Sequence, residues 1–320
     1  MNRLLNKKII RWLIFLIAIT LLSCNENIEE PQAKRNDSAV KLEINLPGSI
    51  QNPAFSPNGK SIVFTHFRNG YNKPPSDLYT YNLETKELKG LVVDGNSNVN
   101  LPGECWNNAT KLIVFSSERE TNDQIYYITE SGKTGDEIQV TNRTDSVAFE
   151  PTFSPDGQWI VFESHKLDEE ENGVITKYKL DGSSAYINLT PQGDDCKQPN
   201  WSPAGDKILY QKEENGQWDI WIMNTDGSNK VKITNFPGSK TDAAFTHDGE
   251  YIVFSMENDD TEYANIYKYP VSGGSAVRLT DYSGYDGAPS ISPDGTKLIF
   301  ESTNEDPDNS DGAALWLINL

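Results

Sequence analysis

One phrase, repeated along the chain, limits what it can fold into. Pro151-Thr-Phe-Ser-Pro-Asp-Gly-Gln-Trp-Ile-Val-Phe162 reads as a short strand, a tight turn and a second strand. Ser154-Pro155-Asp156-Gly157 has turn chemistry: proline presets φ, Asp bonds nearby backbone, and Gly tolerates positive φ. Ile160-Val161-Phe162 is the β-branched and aromatic run of a buried strand. The phrase returns from Pro53 to Phe64, from Pro199 to Tyr210 and from Pro289 to Phe300. Degraded copies run from Cys105 to Phe115 and from Ala244 to Phe254. The equivalent turn positions Ser56, Asn107, Ser154, Ser202, Thr246 and Ser292 are spaced by 51, 47, 48, 44 and 46 residues, a period that marks a repeat architecture.

Each repeat carries four strand signals, A to D. A ends at Phe55, Trp106, Phe153, Trp201, Phe245 or Ile291, and B is the Ile-Val-Phe run. C is the next apolar run, at 77–81, 124–128, 175–179, 220–223, 265–269 and 314–318. D is short and mostly ends in Thr: Thr141, Thr190, Thr234 and Thr280. No long segment shows a 3.6-residue period, and Gly/Pro turns interrupt every ten or so residues, which excludes a helical reading. Six repeats of four antiparallel strands predict an all-β fold, a six-bladed β-propeller over residues 40–320. The last repeat stops after its strand C at Leu320, and the alternating segment Val40 to Leu46 is expected to supply its fourth strand and close the ring.

The Pro-x-aromatic-Ser-Pro-Asp-Gly-x-x-Ile-Val-Phe phrase resembles the WD-like repeat of the TolB family, whose C-terminal domain is a six-bladed propeller. The resemblance covers about residues 40–320. It implies the fold and says little about function. TolB also has an α/β domain before its propeller, for which there is no room between Cys24 and Val40, so the family's role in the Tol–Pal system is not carried over.

Residues 1–23 read as a lipoprotein signal peptide. Arg3, Lys7, Lys8 and Arg11 precede an apolar core from Trp12 to Leu22 that is too short for a stable membrane anchor. Leu21-Leu22-Ser23-Cys24 resembles a lipobox, which makes Cys24 the lipidated first residue of the mature chain. Asn25 in place of Asp favours the outer membrane over the inner, on its periplasmic side or at the cell surface. Residues 24–39 are polar, aperiodic and expected to be a flexible tether. Removing the signal takes the formal net charge from −19 to −23, which disfavours nucleic acid and anionic lipid as partners. Cys105 and Cys196 fall in the second and fourth repeats, which are not neighbours, so no bond between them is expected. Neither has the spacing of a metal site.

Strand order assigns the loops to faces. A–B and C–D turns share one face and are tight; B–C and D–A loops share the other and are long and varied. Binding belongs with variable loops on a rigid scaffold. The polar residues just before each strand A are expected to ring the channel mouth on that face: Asn52, Glu104, Glu150, Gln198, Asp242 and, slightly upstream, Asp286. Their carboxylates suit a basic peptide, an amine, a cation or a sugar hydroxyl. His66, Arg68, Arg119 and His165 lie near the same face and form a secondary candidate set; His247 belongs to the opposite face. Asp306 to Gly312 resembles an acidic calcium loop, but its third Asp and its Gly each come one place late, which favours a solvated loop and no metal site.

Peptidases with such propellers need an α/β-hydrolase domain with a Gly-x-Ser-x-Gly elbow, which the chain lacks. Oligogalacturonate lyases bind metal through a histidine cluster, which three scattered histidines cannot supply. No catalytic residue and no cofactor is therefore assigned. The sequence favours a lipid-anchored envelope module that binds a protein or peptide, with a carbohydrate-binding or carbohydrate-active lipoprotein as the alternative. Fold alone does not choose between them.

Overall fold

The computed structural model describes residues 34–101, 103–119, 122–169, 171–257, 263–303 and 312–320. The described residues build six blades of four antiparallel strands, each running A to D outward from the axis. Blades three to five are separate four-stranded sheets. Blades one and two are joined by one parallel bridge between Ser76 and Asn98.

Strand B explains why the apolar runs are continuous. Both faces of each blade pack on neighbouring blades, so no alternation is needed. Phe64, Phe115, Phe162, Phe254 and Phe300 have no exposed surface, and Tyr210 is 1 % exposed. Each such ring contributes roughly 1.5–3 kcal/mol of burial. Strand D is the opposite case. It is two residues long in blades two to five, and Val231 and Val277 are exposed. Such short edges offer little for another chain to pair with.

The Thr that ends strand D has a defined task. Thr141, Thr190, Thr234 and Thr280 each accept a hydrogen bond through Oγ1 from a strand C backbone N–H, of Ile125, Ile175, Ile220 and Ile266, at 2.8–3.0 Å. The hydroxyl supplies a buried acceptor where strand D leaves the sheet. The A–B turns repeat as faithfully. Ser154 Oγ donates to Asp156 (2.5 Å) and accepts from Trp159 N (2.9 Å), and Ser292 and Thr246 do the same with their own Asp and strand B.

The ring closes where the sequence places it, with a shorter strand than expected. Val40–Lys41 pairs with Leu317 and Trp316 of Ala313–Asn319, and Leu42 N adds one bond to Leu315 O. Leu42, Ile44 and Leu46 then pack against the core between blades six and one. The end of the expected tether is docked rather than free. Arg35 pairs with Asp286 (2.6 Å), bonds Ser302 Oγ (2.8 Å) and lies over the rings of Tyr282 and Trp316, each centroid 4.5 Å away. Asn36 N bonds Asp281 O, and Ser283 N bonds Lys34 O. The signal peptide, Cys24 and most of the calcium-like loop lie outside the described residues.

Candidate functional site

Five blades carry a β-bulge at the same place in strand A. Register slips between Gln51 and Ala54, Phe149 and Thr152, Lys197 and Asn200, Thr241 and Ala244, and Gly287 and Ser290. The bulged residues sit at left-handed φ: Asn52 52°, Glu150 47°, Gln198 48°, Asp242 55° and Ala288 47°. Each such conformation costs about 1–3 kcal/mol and persists only where the surroundings enforce it. A bulge re-aims its side chain, and here all five line one axial cavity, four of them with polar side chains. Four of the five are followed by proline, which fixes the chain as it leaves the bulge.

The cavity opens on the long-loop face and has a volume of about 410 Å³. Its polar groups hold one another across blade boundaries. Gln198 Nε2 donates to Glu150 Oε1 (3.2 Å) and Asp242 Oδ1 (2.8 Å), and its Oε1 accepts from Asp242 N (2.7 Å). Asn52 Nδ2 donates to Asn100 Oδ1 (2.9 Å), and Asn52 N donates to Glu301 Oε2 (2.9 Å). Tyr71 OH donates to Glu301 Oε1 (2.8 Å), and its ring meets Tyr285 edge-on at 6.2 Å. Burial pushes the carboxyls of Glu150 and Glu301 up to about 7, and burial with the charge of Glu118 does the same for Asp123. Glu163, beside Glu150, is pushed well above the ordinary carboxyl range by burial and by its neighbour's charge. Near neutral pH the cavity therefore holds carboxyls able to donate as well as accept.

Two ring residues are placed differently from expectation. Blade two departs from the one-residue bulge: between the pairs Asn100–Ser116 and Trp106–Ile113, five residues stand opposite two. Its strand A is reduced to Asn98–Asn100 and an isolated bridge from Trp106 to Ile113. Gly103 takes the ring position, with φ 91°, and Glu104 falls into a second cavity at the tight-turn end of the axis. In blade six the ring position is Ala288, while Asp286 is fully buried and paired with Arg35. The secondary set does not line the cavity either. His66 is buried, its Nε2 2.5 Å from Pro47 O. Arg68 grips Asp77 through two bonds (2.6 and 2.9 Å), Arg119 pairs with Glu137 (2.5 Å), and His165 Nδ1 lies 2.9 Å from Lys166 O. His247 lies on the tight-turn face, as expected.

Sequence reasoning missed Tyr71, Asn100, Asp123, Tyr285 and Glu301, all in the cavity wall. A signal for Glu301 was present. The residue directly after the strand B aromatic is polar in every repeat: Thr65, Ser116, Glu163, Gln211, Ser255 and Glu301. All six are buried. A polar residue fixed inside an otherwise apolar strand implies a polar interior there. Among the described residues, no group of three or more His, Cys, Asp or Glu side chains could hold a metal ion.

Comparison with known proteins agrees with this architecture. A family profile for the TolB β-propeller domain matches residues 35–187 and 191–311. The Tol-Pal system protein TolB of Francisella tularensis subsp. mediasiatica (strain FSC147) is 30 % identical over 190 residues, covering 59 % of this chain and 41 % of that protein. The chain thus spans about two fifths of the length of the curated relatives it matches. Among solved structures, a protein assigned as TolB from Agrobacterium tumefaciens superposes with a TM-score of 0.63 at 18 % identity, over 85 % of this chain and 91 % of that one. TolB from Acinetobacter baumannii gives 0.60 at 16 % identity, over 85 % and 64 %.

Proposed function

The chain belongs to the TolB β-propeller domain family, and from that premise we propose that it is a non-catalytic module of the bacterial cell envelope that binds a protein or peptide through its loop-face cavity. The carrying observation is the ring of bulged residues Asn52, Glu150, Gln198 and Asp242, fixed by inter-blade hydrogen bonds around a cavity of about 410 Å³. A preorganised rim avoids much of the ordering cost of association. Its carboxyls accept from the backbone amides and basic side chains of an incoming segment, and the formal net charge of −19 favours a basic one. The aromatic surfaces of Phe67, Tyr71, Phe149 and Tyr285 supply the apolar part of the contact. Lipid attachment at Cys24 would hold the propeller on the outer membrane.

The test is capture of a partner from detergent-solubilised envelopes of the source bacterium by the purified protein. Reversing two cavity charges, with Glu150→Arg and Asp242→Arg, should abolish capture, and Glu104→Gln at the other end of the axis should leave it unchanged. Capture indifferent to the double reversal would refute this assignment of the site. Incorporation of labelled palmitate, lost in Cys24→Ala, checks the anchor separately.

A further inference from the structure

The tight-turn end of the axis, expected to be purely structural, holds a second cavity of about 320 Å³. Every blade contributes to its wall. Phe55, Trp106, Phe153, Trp201 and Phe245 surround it, and Glu104 is the single carboxylate among its lining residues. Glu104 is there because blade two breaks the repeat: its longer strand A irregularity brings an acid to a position held by Pro or Ala in the other blades. Its Oε1 accepts from Ser290 Oγ (3.0 Å). No lysine or arginine lines the cavity.

The rest of the molecule shows what this combination suits. Arg35 sits between Asp286 and the rings of Tyr282 and Trp316, with a serine hydroxyl alongside. Arg119 sits between Glu137 and Tyr126, at 2.5 Å and 4.7 Å. Lys240 sits between Asp219 and Phe236, at 2.8 Å and 4.4 Å. In all three a buried or half-buried carboxylate and an aromatic ring enclose a cation of the chain itself. The Glu104 cavity has the carboxylate, the serine and the rings; among the described residues His247 is the basic side chain in its wall, and no lysine or arginine reaches it.

We propose that this second cavity is a binding site for an organic cation, a guanidinium or alkylammonium whose apolar stem lies against the aromatic wall and whose head pairs with Glu104. Cation–π attraction and a charge-assisted hydrogen bond act together in such a site. The site stands apart from the loop-face cavity and does not depend on the function proposed for it.

The experiment uses tryptophan fluorescence and calorimetry with three probes: the capped peptide acetyl-Gly-Arg-Gly-amide, its citrulline counterpart and agmatine. Citrulline keeps the shape of arginine without the charge. The arginine peptide should bind saturably, the citrulline peptide at least about tenfold more weakly. Glu104→Gln retains an acceptor for Ser290 and should lose affinity by the same factor while melting like the parent. Glu257→Gln, an exposed carboxylate that lines neither cavity, should bind as the parent does. Agmatine binding without the arginine peptide would keep the cation site and assign it to free amines. Equal binding of the citrulline peptide, full affinity in Glu104→Gln, or no binding of either cation would overturn the proposal.

Discussion

Replacing Glu301 by Gln should change how stability depends on pH, and the direction follows from burial. Glu301 is 2 % exposed and accepts from Asn52 N (2.9 Å) and Tyr71 OH (2.8 Å). Burial pushes its carboxyl up to about 7, while in the unfolded chain it titrates near ~4.3. Between these values the unfolded state sheds the proton and the folded state keeps it. Its contribution is therefore fully present below about pH 4.5 and is lost as pH rises to 7. Each pH unit in that window costs about 1.4 kcal/mol, or about 4 kcal/mol across it. Glu301→Gln removes the titration and leaves one acceptor where there were two, a loss of about 1 kcal/mol. Urea unfolding should then find the variant about as stable as the parent at pH 5 and about 3 kcal/mol more stable at pH 8. Glu104 and Glu150 titrate in both proteins, so the difference between the two curves is the quantity to read. Parallel curves from pH 5 to 8 would refute the reasoning.

Three further outcomes are expected. Arg35→Ala leaves the carboxylate of Asp286 buried without its cation, so thermal unfolding should report a loss of about 3–5 kcal/mol, largely recovered when Asp286→Asn is added. Thr141→Val keeps the shape of the side chain and removes the acceptor for Ile125 N; chemical unfolding should show a loss of about 1–3 kcal/mol, and an unchanged midpoint would dismiss the capping role of that threonine. Cys105 and Cys196 are free and fully buried, and burial pushes their thiols up, that of Cys196 to about 12, so both should resist a thiol reagent until the protein unfolds.

The repeat phrase made the blades legible because each element has its own chemistry. The Ser-Pro-Asp-Gly turn, the Ile-Val-Phe run and the terminal Thr each report a local hydrogen-bond pattern or a burial pattern, so the strand C ranges fall within three residues of those in the structure. The ring residues were legible where Pro follows the bulge, as at Asn52, Glu150 and Gln198. In blade six the same rule points to Ala288, but the search for a carboxylate led upstream to Asp286, which serves Arg35 instead. In blade two a longer irregularity stands in for the one-residue bulge, no proline follows Gly103, and Glu104 moves to the other end of the axis. Arg35 could not be read at all. A lone arginine in a polar stretch carries no period, and its partners Asp286, Tyr282 and Trp316 lie more than 240 residues away. His66 and Arg68 illustrate the same limit: their nearness to the loop face was legible, their engagement with Pro47 and Asp77 was not.

The most direct test of the central claim places a photo-crosslinking amino acid at Asn72, an exposed residue on the wall of the loop-face cavity, and at Asp226, an exposed residue in a C–D turn on the other face. Irradiation of intact cells should give a discrete protein adduct from position 72 that disappears when Glu150→Arg and Asp242→Arg are added, and none from position 226. An adduct from 226 alone, or one from 72 that survives the charge reversal, would contradict the account.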